Sequence, residues 1–250
     1  MCKHRPDSFN SLCYNISMSV FLPLGVIILS ALVHATFQLG LGALLLLYHA
    51  SLGRHIRRRT LKLVSAFTAG FSVMVLLMLA SACFFIWTVF QGKFPDWMFT
   101  VSIAILSGLA IVVWFLYYRC GNTTELWLPK PVARYISRRA KSTDSSVEAF
   151  ALGLLTCFSE FPFTIILVLI AGGGVMGFSL SFRMPAIALY LLIAVLPLII
   201  TRLTIRRGST VVDVQRWRVK NKNFLRNLSG LGFLTLAIFL FAFKVLIDFS

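Results

Sequence analysis

Thr156-Cys157-Phe158-Ser159-Glu160-Phe161-Pro162-Phe163-Thr164 sets a single acid and a proline inside an apolar block that runs Ala149–Ala171 and closes on Gly172-Gly173-Gly174. A helix needs about 20 apolar residues to cross the hydrocarbon core of a bilayer, and this block has that length. A charged carboxylate near its centre costs about 2.5 kcal/mol or more on insertion scales. Pro162 withdraws one backbone N–H, freeing a carbonyl one turn earlier. The stretch therefore predicts a membrane helix that is broken where its only acid sits.

Five further blocks lie around it. Ser19–Leu52 is too long for one straight span and is expected to break near Thr36–Gly42, where Gln38, Gly40 and Gly42 interrupt the aliphatic run. Leu63–Phe90 and Phe99–Tyr118 read as a helical hairpin, with Lys93, Pro95 and Asp96 in the turn. A polar stretch Arg119–Glu148 follows, with a short surface helix expected around Val132–Arg139. Pro185–Thr201 is the fifth block, and after a basic linker Arg202–Arg226 comes the sixth, Leu228–Ile247. The fold class is thus all-α and integral to a membrane. Its expected divisions are a tail at 1–18, a three-helix unit at 19–118, a linker at 119–148 and a second three-helix unit at 149–250.

Composition agrees, since 58% of the residues are hydrophobic and 13% charged, whereas charged residues make up about 25% of an ordinary soluble domain. The net charge of +16 does not mark a nucleic-acid binder, because the Lys and Arg residues fall in short loops between blocks. Arg54–Lys62, Arg119–Lys141 and Arg202–Arg226 are rich in them; the two alternate loops carry Lys93 and Arg183. Under the positive-inside rule the rich loops are cytoplasmic and both ends lie outside the plasma membrane. A competing reading takes Lys3-His4-Arg5, the run Val20–Val33 and Val33-His34-Ala35 as a secretory signal, but the basic cluster after Leu52 outweighs the first one. Trp97, Tyr117, Tyr118 and Trp127 at block edges fit interfacial anchoring.

Three spans followed by three spans put the two halves in opposite orientation, the inverted repeat of many secondary transporters. Ser30–Gln38 can be laid over Thr156–Thr164, which pairs His34 with Glu160 and Gln38 with Thr164. Each half then carries one ionisable group near the middle of a broken first helix. The candidate transport and coupling residues are Glu160, His34, Gln38, Pro162, Thr164 and Thr36. Two readings stand for Glu160: a substrate or proton site beside opened backbone, or a protonated acid hydrogen bonded to Ser159, Thr164 or Gln38. His34 either relays protons, its ordinary pKa being near ~6.5, or is a buried hydrogen-bonding residue. Lys244 and Asp248 read as snorkelling groups at a helix end, and Gly70, Gly108, Gly153, Gly230 and Gly232 as helix-packing positions.

Catalytic chemistry finds no arrangement here: there is no His-Asp-Ser set and no second acid beside Glu160, so no enzyme and no cofactor is expected. Cys2, Cys13, Cys83, Cys120 and Cys157 show no C-x-x-C spacing and no metal-ligand set. A disulfide between Cys2 and Cys13 and free thiols are both open. Of the sequons at Asn15, Asn122 and Asn227, only the first is expected outside.

Ala149-Phe150-Ala151-Leu152-Gly153-Leu154-Leu155 leading into Glu160-Phe161-Pro162-Phe163 resembles the E-L-P-C segment of transmembrane cytochrome c biogenesis and disulfide electron carriers, which belong with the lysine exporters to a superfamily of six-helix inverted repeats. The ending from Trp217 through Lys222, Asn223 and Asn227 to Phe239 is similar as well. The resemblance implies a six-helix inverted repeat, with its first and fourth helices broken, and a midplane site. It departs at the redox position, where Phe163 and, in the first half, Phe37 stand in place of cysteines. Thiol–disulfide transfer needs two approachable sulfurs and is not carried over, which leaves the chain nearer the exporters. The expected function is a secondary transporter or exporter of a small solute or cation. The alternative is a non-catalytic membrane subunit or assembly factor, and a thiol carrier stands last. The lipid bilayer, the solute and a membrane partner or second copy are the expected partners; nucleic acid is not.

Overall fold

A computed structural model describes residues 7–36, 56–117, 145–207, 216–217 and 220–248. Among them every regular element is helical: α1 Asp7–Thr36, α2 Ile56–Phe90, α3 Asp96–Val112 continued by a π-turn at Val113–Tyr117, α4 Ser146–Ser159, α5 Phe161–Met176, α6 Leu180–Arg207 and α7 Lys222–Asp248. Four segments are long and apolar enough to cross a membrane, Arg58–Phe90, Asp96–Phe115, Leu180–Arg207 and Asn223–Ala242; α4 and α5, bent by 78° at their junction, make a fifth if taken as one span. The apolar part of α1 described, Phe21–Thr36, is shorter. Gln38, Phe37, the remainder of the first block and the helix expected at Val132–Arg139 lie outside the described residues.

The burial pattern is that of a lipid-facing bundle. Only 33% of the apolar window of α2 is buried inside the protein, and Phe84, Phe85, Trp87, Leu192, Ile200 and Phe241 are exposed. In water such a surface would be an aggregation site, whereas in hydrocarbon it is the solvated face.

Two apolar cores lie side by side. One gathers α2, α4 and α6 around Phe67, Phe71, Leu79, Tyr190 and Leu198; the other gathers α3 and α7 around Leu106, Phe233 and Leu236. Helices α1 and α5 contribute to both, α1 through Ile27 and Ala31 on one side and Val26 and Val33 on the other. They touch where Gly174 brings α5 against Pro23 and Ile27; a Cβ there would lie 3.1 Å from Ile27 Cγ1.

The expected hairpin of the second and third blocks needs correction. Gln91 and Gly92, at φ 54° and 78°, turn the chain sharply, and Gly92 N–H donates to the Ile86 carbonyl at 3.2 Å. Yet α2 and α3 do not pack along one another. The principal partner of α2 is α4, and that of α3 is α7. Glycine decides the first pairing: a Cβ on Gly70 would collide with the Phe150 carbonyl, and one on Gly153 with the Phe67 carbonyl, so the two backbones meet directly. At the second pairing, Trp114 in the π-turn fills the place a side chain on Gly230 would need. Gly232 packs on Val33, but among the described residues nothing lies within 4 Å of a Cβ built on Gly108, which makes no helix contact there.

A second correction concerns Gly172-Gly173-Gly174, where α5 does not stop but continues to Met176. In hydrocarbon, freed amides find no water, which favours continuing the helix, and the missing side chains serve contact instead. Gly172 faces Ala82 and Ile86 of α2, while Gly173 lies under the ring of Phe94. The end of α5 is closed by Arg183, whose Nε donates to the Phe178 carbonyl at 3.1 Å and whose guanidinium lies over Trp87. Lys244, read as a snorkelling group, donates to Thr100 Oγ1 at 3.2 Å.

Candidate functional site

The break falls at Glu160. Pro162 has no N–H to give the carbonyl four residues back, so the α4 ladder stops at Ser159. The chain restarts on the Glu160 carbonyl, which accepts from Phe163 N–H at 3.0 Å, Thr164 N–H at 3.1 Å and Thr164 Oγ1 at 3.1 Å. Phe158 and Phe161 stack outside the bend with ring centroids 5.9 Å apart, and Pro162 is exposed beside them. Glu160, Cys157 and Thr164 face the other way and are buried, Glu160 with no accessible surface. Apolar rings thus shield the outside of the bend and the acid points into the protein.

His34 on α1 is as fully buried as Glu160. Its hydrogen bond goes to α6: Nδ1 lies 2.9 Å from the Tyr190 hydroxyl. The ring also packs against Tyr190 and Phe71, with centroids 5.9 and 6.5 Å away. Nε2 has no hydrogen-bond partner among the described residues, and neither does Ser30 Oγ one turn earlier. Cys157 stands within electrostatic range of both Glu160 and Tyr190, and its thiol lies 3.9 Å from Met78 Sδ on α2. Four elements therefore supply this buried polar region: α1, α2, the α4–α5 junction and α6.

Of the residues singled out in the sequence, Glu160, Thr164 and Pro162 meet at the break. His34 lies in the buried polar region with Tyr190 as its partner. Thr36 returns its hydroxyl to the Val33 carbonyl at 2.7 Å and so serves its own helix. Tyr190 and Ser30 were not singled out; the available signal was a hydroxyl in the middle of an apolar block, away from the interfaces where Tyr collects. A cavity of about 340 Å³ lies elsewhere, toward the α2–α3 turn, lined by Pro23, Phe94, Ile170, Gly173, Lys93 and Asp96 among others. Glu160 is not part of its lining.

Comparison with family models, with curated proteins and with solved structures finds no match. Fold and burial define a class, a membrane-embedded protein that is all-helical among the described residues, with four or five helices there able to span a bilayer.

Proposed function

We propose that this protein is a secondary transporter, exporting a small solute or cation through a midplane site at Glu160, with His34, Gln38, Thr36, Pro162 and Thr164 around it. The observation that carries this reading is the wholly buried Glu160 at a 78° break between two apolar helices. An intramembrane acid is costly and marks substrate or proton pathways, and disturbed backbone at membrane depth belongs where it lines a route or is held by protein. From Ala149 to Glu160 the helix rises about 16 Å, half of a ~30 Å hydrocarbon core.

The same reading takes the chain as six spans in a 3+3 inverted repeat, with both ends outside the plasma membrane and the basic loops inside. The pattern of helix pairing supports it. The overlay of Ser30–Gln38 on Thr156–Thr164 carries α1 onto α4, α2 onto α6 and α3 onto α7. The pairings α2–α4 and α1–α6 then exchange, while α2–α6 and α3–α7 map onto themselves.

Flux in proteoliposomes under a pH gradient tests the function. Transport of one solute class by the unaltered chain and its loss in Glu160→Gln are expected. No flux across amines, amino acids, metal cations and organic anions would sink the transport reading, and undiminished flux in the variant would remove Glu160 from the site.

A further inference from the structure

Two buried polar side chains of α1, Ser30 and His34, depart from the rule that the buried threonines of the other helices follow. Thr156, Thr164 and Thr201 are buried, and each donates its hydroxyl to a carbonyl four residues back, at 2.7, 3.1 and 2.8 Å. That return is how Ser and Thr satisfy themselves inside an apolar bundle. Ser30 is equally buried and does not make it. His34, four residues on and so on the same helix face, keeps Nε2 without a partner while Nδ1 is held by Tyr190. An isolated buried polar atom costs about 1–3 kcal/mol when unsatisfied. Two on one face, beside a side chain whose ring is fixed in orientation, are the arrangement left when a small molecule supplies the missing bonds.

We infer that Ser30, His34 and Tyr190 form a binding site for one small protic ligand, a water molecule or an ammonium group, held between α1 and α6. The chemistry selects this class. Ser30 Oγ and Tyr190 Oη offer lone pairs, and His34 Nε2 offers one when the ring proton sits on Nδ1 and is donated to Tyr190. If Tyr190 donates instead, Nε2 carries the proton and meets an acceptor, a role that water also fills. Among the described residues no group of three or more His, Cys, Asp or Glu side chains is placed to hold a metal ion. The site stands independently of transport, since a resident water needs no flux.

Hydroxyl-radical footprinting of the full chain in lipid nanodiscs, without added solute, tests it. Radicals formed from a bound internal water label its neighbours even where bulk solvent does not reach. Tyr190 and His34 are expected to label several-fold above Phe233, which is equally buried, after correction for intrinsic reactivity. Ser30→Ala is expected to reduce that labelling and lower the melting temperature by a few degrees. Labelling of Tyr190 no stronger than that of Phe233, or a Ser30→Ala variant that melts higher because a dry orphan hydroxyl has been removed, would overturn the inference. Adding ammonium chloride separates the two sources: protection of Tyr190 assigns the site to an ammonium group, and unchanged labelling assigns it to water.

Discussion

Two interfaces join the halves of this bundle in contrasting ways. Between α2 and α4, Gly70 and Gly153 bring backbone onto backbone with no side chain between them. Between α1 and α6, the buried contacts include a hydrogen bond, His34 to Tyr190, with Ser30 Oγ and His34 Nε2 unpaired beside it. Lipid tails are as apolar as leucine, so helices in a membrane associate through close packing and polar contacts and not through a hydrophobic drive. The first interface is set by close backbone packing at its glycines, and the second adds a buried polar contact to its apolar packing. The first tolerates no added atom, while the second depends on single polar groups that can be removed without altering shape.

That contrast can be broken in graded steps. Gly153→Val should have the largest effect, because its side chain meets the Phe67 backbone and not a movable group. Overpacking costs about 1–3 kcal/mol, and a clash with backbone lies at the upper end, read as loss of monodisperse protein and a sharply lowered melting temperature in detergent. Tyr190→Phe keeps the ring and removes the hydroxyl, leaving His34 Nδ1 unpaired; a loss of about 1–3 kcal/mol is expected in thermal melts, with the oligomeric state unchanged. Thr164→Val withdraws one of three donors from the Glu160 carbonyl, worth about 1 kcal/mol, and shows as faster amide exchange at Phe163. Gly108→Ala, with open space around it, should be neutral or stabilising by up to about 1 kcal/mol. A Gly108 variant as damaging as the Gly153 one would mean that glycine content, and not contact, governs this bundle.

The class of the protein and the break at Glu160 were legible in the sequence, because block length and an acid beside a proline are local signals. Which helices pair was not. The short turn at Lys93–Asp96 reads as a hairpin, yet α2 leaves α3 for α4, since the decisive glycines, Gly70 and Gly153, lie in different halves and no periodicity links them. Gly172-Gly173-Gly174 reads as a stop for the same reason it would be one in water, where released amides find solvent. The partner of His34 was hidden as well, because a residue 156 positions away leaves no trace in local spacing.

Phe94 seated over Gly173 has a mechanical consequence. The ring occupies the volume that any side chain on that face of α5 would fill, and it is braced from behind by Phe99, with centroids 4.8 Å apart. Helix α5 therefore cannot rotate about its own axis without pushing this aromatic pawl, and with it the turn that joins α2 to α3.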